Sequence, residues 1–314
     1  MKTVFIVNPK AGKKRNIDDV VSAIRQAAKK HQKDIDIYIT KAVGDGERFV
    51  REYCKANGAA RFIACGGDGT LNEVANGAFG FVAAEVGVMP LGTGNDFCRN
   101  FSQRHLFPDA EAQLFGKAIP CDVIEYTTEC GGESVTRYCM NMFNIGFDCN
   151  VADMTATMKQ KPFISGSLAY FLSIFTILIK KKGANLAIVS DGVEKHRGPL
   201  LLNSIANGSF CGGGIKSNPT ANVQDGIMDV NIVYNISRLN FLTKLPFYMK
   251  GTHIKLQNIE KVIAAHTCKE MTVTPLEGIM RLCVDGEITN AGKTEFKVVP
   301  GGISFVVPFM PEEN

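Results

Sequence analysis

Several features that would declare a role outright are missing from this 314-residue sequence, and each absence narrows the choice. Net charge is small: 35 basic residues against 31 acidic ones leave +4, so the composition does not mark a nucleic-acid binder. No two of the ten cysteines form a C-x-x-C pair. They are scattered from Cys54 to Cys283, several inside apolar runs such as Phe62-Ile63-Ala64-Cys65. That pattern argues against a zinc site and reads as reduced, buried thiols of a cytosolic protein. No signal peptide is visible, because the strand-like Lys2–Val7 passes directly into turn residues. The longest uncharged stretch, Phe163–Ile179, lies between Lys161 and Lys180-Lys181-Lys182 and falls short of the ~20 residues that span a bilayer. It reads as a buried or interfacial helix. Neither a G-x-x-x-x-G-K-[ST] loop nor a dinucleotide fingerprint occurs, since Gly92-Thr93-Gly94 lacks the third glycine at the required offset. Repeats and low-complexity tracts are absent as well.

What is present is an ordinary globular balance, 45% hydrophobic and 21% charged, over a length that suits two domains. The first third alternates strand and helix signals. Lys2–Val7 is apolar, Ile17, Val20, Val21, Ile24 and Ala28 recur at helical spacing, and Ile35, Ile37 and Ile39 alternate with polar neighbours. Phe49, Val50, Tyr53 and Cys54 form a second helical stripe closed by Asn57-Gly58, followed by a strand at Arg61–Cys65, a helix at Leu71–Ala78 and a strand at Glu85–Met89. This order predicts a parallel, doubly wound α/β sheet. From about Cys121 the texture changes. Strands are predicted at Tyr138–Phe147, Leu186–Ser190, Leu200–Ile205, Asp229–Val233, Glu270–Thr274 and Met280–Val284, with a helix near Leu239–Met249. The second half therefore reads as a mainly antiparallel β domain. The boundaries are 1–122 for the α/β domain and 123–314 for the β domain, the last residues being free to pack back on the first.

Three loops follow predicted strands of the first domain: Asn8-Pro9-Lys10-Ala11-Gly12-Lys13-Lys14, Gly66-Gly67-Asp68-Gly69-Thr70, and Pro90-Leu91-Gly92-Thr93-Gly94-Asn95-Asp96. Ligands of open α/β sheets sit outside the carboxyl ends of the strands, so three such loops converge on one crevice. Glycines let backbone N–H groups approach an anion. Thr70-Leu71-Asn72-Glu73 has the form of a capping box, which predicts a helix start whose positive end suits phosphate. Asp68 beside that site would repel bare phosphate, and makes sense if magnesium or ordered water mediates. The competing reading is three plain βα turns.

These residues resemble the diacylglycerol kinase and lipid kinase family of bacteria, related to sphingosine kinases. The resemblance rests on Asn8-Pro9 with Gly12, GGDGTLNE at Gly66–Glu73, GTGNDF at Gly92–Phe97, Asn144–Asp148, Asn207-Gly208, Gly212–Gly214, Asp225–Asp229, and Asp285-Gly286-Glu287. GGDGT alone is shared with NAD kinases. The family implies an N-terminal α/β domain, a C-terminal β-sandwich and a nucleotide cleft between them. It implies an ATP site lined by Asn8, Pro9, Lys10, Ala11, Gly12, Lys13, Thr40, Gly66, Gly67, Asp68, Gly69, Thr70, Leu71, Asn72 and Thr93. Lys13, Lys14 and Arg15 either add charge near the phosphates or form a solvated basic run. Asp68, Asp96 and Asp122 would belong to an aspartate–water–magnesium network. Asp285 and Glu287 would act at the acceptor hydroxyl, with Glu287 taking the proton; on sequence terms alone Asp285-Gly286 is equally a type I′ hairpin turn. A second, structural magnesium site is implied at Asp225, with carbonyl oxygens of Asn222 and Ile227, against the alternative of a metal-free turn. The sequence departs from the family at Lys13-Lys14-Arg15, where small residues are frequent, and at Cys98, where alanine is common. Its five histidines, 31, 105, 196, 253 and 266, match no motif.

The resemblance thus implies an ATP- and Mg2+-dependent kinase of a membrane lipid, diacylglycerol foremost. It would be cytoplasmic, peripheral at the inner face of the membrane, and without nucleic-acid partners; related enzymes suggest a homodimer. Phe163–Ile179 with its three following lysines either contacts the bilayer or packs the domains together. The rival readings are a kinase of a soluble acceptor such as NAD, and a non-catalytic nucleotide-binding adaptor.

Overall fold

The computed structural model describes residues 1–12, 16–58, 60–92, 94–146 and 183–311. Expectations placed on Lys13, Lys14 and Arg15, on Thr93, on Phe147-Asp148, and on Phe163–Ile179 with the lysines after it lie outside the described residues. The chain divides into two compact units, Met1–Asp122 with Pro300–Asn314, and Val123–Val299.

In the first unit the apolar runs become strands, the central ones buried and the edge strand only half-buried. β1 (Thr3–Val7) is buried at every residue, as a central parallel strand should be. It is followed by α1 (Ile17–Lys30), β2 (Ile35–Ile39), α2 (Asp45–Asn57), β3 (Arg61–Gly66), α3 (Asp68–Ala78) and β4 (Glu85–Pro90). Asn16 caps α1 by accepting the Asp18 N–H, and Val20, Ile24, Ala27 and Ala28 are its buried face. Full burial of Phe5 or Ile63 contributes about 1.5–3 kcal/mol each. The strand order is β2-β1-β3-β4, all parallel, with Phe5 between Ile37 and Ile63. The chain goes from β1 outward to β2 and returns to the other side of β1 as β3. That reversal creates a switch point at the carboxyl ends of β1 and β3, where ligands of such sheets bind. A short helix, α4 (Ala110–Leu114), is capped by Asp109.

Every strand pair described in the second unit is antiparallel. Its elements are β5 (Lys117–Cys130), β6 (Glu133–Cys139), β7 (Met142–Gly146), β8 (Ala184–Ser190), β9 (Val193–Ala206), β10 (Met228–Tyr234), α5 (Arg238–Met249), β11 (Ile263–Cys268), β12 (Glu270–Pro275), β13 (Met280–Val284), β14 (Glu287–Ala291) and β15 (Thr294–Val307). β9 is the hub, pairing with β7, β8 and β10. Phe143, Ile145, Ile188, Val230, Leu282 and Phe296 fill its core. The unit boundaries fall inside β5 and β15. The start of β15 pairs antiparallel with β12, whereas Ser304 and Phe305 run parallel beside Glu85 and Val86 of β4.

Two sequence expectations need correction here. The single strand at Tyr138–Phe147 is two, because the chain breaks between Cys139 and Met142 to wrap a carboxylate described below. The helix expected to begin at a Thr70 capping box begins at Asp68, with Gly67 as N-cap and no side-chain cap. Glu73 is engaged elsewhere: its carboxylate accepts the Gly44 and Gly46 N–H groups at 2.8 and 3.1 Å, capping the neighbouring α2. Among the described residues no helix is long and apolar enough to cross a membrane.

Candidate active site

Backbone contacts bring the three loops of the first unit together. The Asn8 N–H donates to the Cys65 carbonyl at 3.0 Å, and the Leu91 N–H to that of Gly66 at 2.8 Å, so each loop leaves its strand in step with the next. Asn8 then works in both directions. Its Oδ1 accepts the Lys10 N–H at 2.9 Å, bending the first loop, while its Nδ2 donates to Thr70 Oγ1 at 3.1 Å on α3. Thr40, buried after β2, donates its N–H to the Val7 carbonyl at 2.9 Å.

Two glycines make this convergence possible. Gly12 has φ +73°, and a Cβ there would lie 2.3 Å from the Leu91 carbonyl oxygen. A Cβ on Gly92 would come within 2.9 Å of Gly67 Cα. Only backbone fits at these approaches, and the loop residues close on the first turn of α3. No side chain caps that helix at Gly67, so its start keeps the partial positive charge that favours an anion. The arrangement suits a phosphate chain.

Acidic groups border the same place. Asp68 accepts the Asp96 N–H at 3.1 Å and the Phe97 N–H at 3.2 Å, tying α3 to the loop after β4. Both Asp68 and Asp96 carboxylates face Gly94: a Cβ built there would lie 3.2 Å from one and 3.7 Å from the other. Two carboxylates converging on one glycine suit a magnesium ion that keeps several of its waters. Asp96 is buried and pairs with Arg99 Nε at 3.2 Å, while Arg99 also donates to the Gly94 carbonyl at 3.3 Å. Asp122 is buried at the end of the first unit and accepts the Gly301 N–H at 2.7 Å. That bond joins the two crossing strands of this unit.

The second unit holds the other predicted acidic pair. Asp285 and Gly286, at φ 47° and 94°, form the two-residue turn between β13 and β14, with Val284 opposite Glu287. Two positive φ values are what a type I′ hairpin demands. The Asp285 carboxylate lies in the chain break after β6. It accepts N–H groups from Met140 (3.2 Å), Asn141 (3.2 Å) and Met142 (3.0 Å), and the Cys139 thiol at 3.2 Å. Burial, reinforced by the Asp285 charge, pushes the Cys139 thiol far up, so it remains a donor. Glu287, the next side chain, is exposed. The two carboxylates therefore differ: Asp285 is locked into backbone and Glu287 stands at the surface.

At the expected second metal site the Asn222 and Asp225 side chains accept the Gln224 and Ile227 N–H groups, each at 3.2 Å. Gly226 follows at φ +73°. Nearby, burial raises the pKa of Asp229, and the charge of Asp225 raises it further. A cation would relieve that repulsion.

Sequence reasoning passed over Arg99 and Asn141, and named Asn207 only within a motif, without a role. Arg99 stands three residues after Asp96, the spacing of an ion pair on a helical turn. Asn141 and Asn207 hold the break that receives Asp285: Asn207 Nδ2 donates to the Met140 carbonyl at 2.7 Å, and Asn141 Nδ2 to that of Phe210 at 2.7 Å. The available signal was an asparagine inside an otherwise apolar strand pattern.

Comparison with known proteins agrees with both halves. Residues 2–126 match the family described as diacylglycerol kinase catalytic domain, and residues 141–307 match the YegS C-terminal NAD kinase beta sandwich-like domain. A Serratia proteamaculans protein named "Probable lipid kinase YegS-like" is 30% identical over 73% of this chain and 72% of its own. The Mycobacterium tuberculosis protein named "Diacylglycerol kinase" is 24% identical over 98% of this chain and 95% of its own. A crystal structure of a diacylglycerol kinase from Bacillus anthracis shares the fold, with a TM-score of 0.70 at 19% identity over 97% of this chain and 96% of that one. With matches running through both units, the chain belongs to the YegS and diacylglycerol kinase family of lipid kinases.

Proposed function

We propose that this protein transfers the terminal phosphoryl group of ATP to a hydroxyl of a membrane lipid, and that diacylglycerol is the acceptor, giving phosphatidic acid. The observation that carries the reading is the glycine-only approach of the Gly12 and Gly92 loops to the uncapped start of α3, bordered by Asp68 and Asp96. Asn8, Gly12, Gly66, Gly67, Gly69, Thr70 and Asn72 hold the phosphate chain through backbone amides and short polar side chains. Magnesium, when bound, neutralises the charge that builds up between the phosphates during transfer. Asp68 and Asp96 would hold its water shell, and Asp122 is assigned to the same acidic network.

Glu287 takes the proton as the lipid oxygen bonds to phosphorus, and the bond to the departing ADP oxygen breaks. Asp285 is a positioning residue, fixing the turn from which Glu287 projects. At Asp225, a structural magnesium would be held together with the carbonyl oxygens of Asn222 and Ile227. The protein works in the cytoplasm as a peripheral visitor to the inner membrane face.

The test is a kinase assay with labelled ATP on a panel of lipid alcohols in mixed micelles, with NAD in parallel and products identified by mass spectrometry. Labelled phosphatidic acid is expected. Phosphorylated NAD with unlabelled lipids would replace this reading with the soluble-acceptor one, and no transfer to any acceptor would favour a non-catalytic adaptor.

A further inference from the structure

The inward face of α5 is accounted for by packing. Phe241, Leu245 and Tyr248 lie against Leu201, Leu202, Val233 and Val262. The outward face is not polar in compensation. Leu239 is 74% exposed, Leu242 39% and Phe247 43%, with Pro246 exposed between them. Ile254, in the turn that follows, is 46% exposed. A surface helix of a globular protein normally places charged residues opposite its buried stripe, and one that is apolar on both sides has a second apolar environment to enter.

Charge indicates which environment. From Arg238 to Lys261 the sequence carries Arg238, Lys244, Lys250, Lys255 and Lys261 against one acid, Glu260. This stretch holds the same net +4 as the entire chain, so the rest of the protein is balanced. Lys250, Lys255 and Lys261 are exposed. Outward leucine and phenylalanine with lysines at the end of the same helix and in the turns after it form the pattern of an interfacial helix: apolar side chains enter the acyl boundary while cations meet anionic head groups.

We propose that α5 and the 250–261 turns dock the second unit onto an anionic lipid bilayer, with Leu239, Leu242, Phe247 and Ile254 inserting and Lys250, Lys255 and Lys261 meeting lipid phosphates. This rests on the lipid-kinase reading for its biological purpose, but not for its physics. It gives the protein a membrane contact on described residues. The occupant is a bilayer rather than a second copy of the chain, because an isologous contact would bring this basic cluster against itself.

The experiment is co-sedimentation with phosphatidylcholine vesicles with and without phosphatidylglycerol, using the full chain. Binding is expected only with the anionic lipid, and is expected to weaken as salt rises from about 0.1 M to about 1 M, where the screening length falls from ~10 to ~3 Å. Leu239→Glu with Phe247→Glu should lower the binding at least tenfold, and Lys250→Glu with Lys255→Glu should lower it roughly fivefold or more per charge. Both doubles should keep the wild-type melting temperature and wild-type turnover on short-chain diacylglycerol dispersed as monomers. If they bind vesicles like the wild type, the proposal fails. If the leucine–phenylalanine double instead turns a dimer into a monomer while vesicle binding persists, the face belongs to a second copy and the proposal fails as well. Vesicle binding that depends on α5 without phosphorylation of any lipid would remove the kinase reading alone; phosphorylation in micelles with no vesicle binding would remove this one alone.

Discussion

In the first unit Asp68 reaches from the start of one helix to two amides of a neighbouring loop. In the second, Asp285 reaches from a hairpin turn to three amides and a thiol. Both carboxylates order a chain segment through charge-assisted hydrogen bonds, yet their surroundings are built from opposite materials. Around Asp68 the crowding is backbone against glycine, with Gly12 on Leu91 and Gly92 on Gly67. Around Asp285 it is side chains, with Asn207 and Asn141 holding the broken strand open. The first region is vulnerable to any added atom, the second to the loss of an acceptor.

The sharpest way to test that contrast begins at Glu287. Because its side chain is exposed, Glu287→Gln should cut turnover about 10²–10⁴-fold while leaving the melting temperature unchanged. A full-rate variant would move the base elsewhere. Next in size is Asp285→Ala, which leaves three amides and a thiol without their acceptor and should cost about 3 kcal/mol or more in urea unfolding. Gly12→Ala should act the other way round. Its left-handed φ costs about 1–2 kcal/mol, and the clash with Leu91 should raise the KM for ATP more than it alters the lipid KM. If both KM values rise together, the glycine loops do not belong to the nucleotide.

The smallest effect concerns pH. Burial lowers the pKa of His253 and of His266 below the ordinary 6.5. The unfolded chain therefore binds protons through the window just below 6.5 that the folded chain refuses. Stability falls as pH drops through that window, with a limiting slope of about 1.4 kcal/mol per pH unit for each histidine. Urea midpoints at a pH of about 7.5 and about 5.5 should differ, and His253→Phe should shrink the difference if the variant still folds. An unchanged slope would assign the loss to other groups.

Much of the first unit is legible in the sequence, because each strand is an apolar run and each helix has its own stripe and stop, as at Asn57-Gly58. The strands β5 and β15 are not. Pro120 and Pro300 interrupt them, and Gly301-Gly302 reads as a turn, whereas the chain continues extended from one unit into the other. Thr70-Leu71-Asn72-Glu73 misleads for a related reason. A capping box is a local pattern, and Glu73 is drawn instead to the Gly44 and Gly46 amides at the start of α2, which are far away in sequence. The candidate site divides along the same line. Glycines and aspartates in short motifs can be read directly. The partners that hold them, Arg99, Asn141 and Cys139, and the part that Asn207 plays, become visible only when the chain is folded.

The late strand β15 carries a consequence for how the molecule is made. Its last residues lie parallel to β4 and supply a strand to the sheet of the first unit, although some 180 residues of the second unit are translated between them. On the ribosome, the sheet of the first unit emerges early with the flank of β4 bare, and it can be completed only after the whole second unit has left the exit tunnel. Synthesis order and assembly order are thereby uncoupled, and a chain halted before Ser304 is released with an unpaired strand edge, an open invitation to aggregation or chaperone capture.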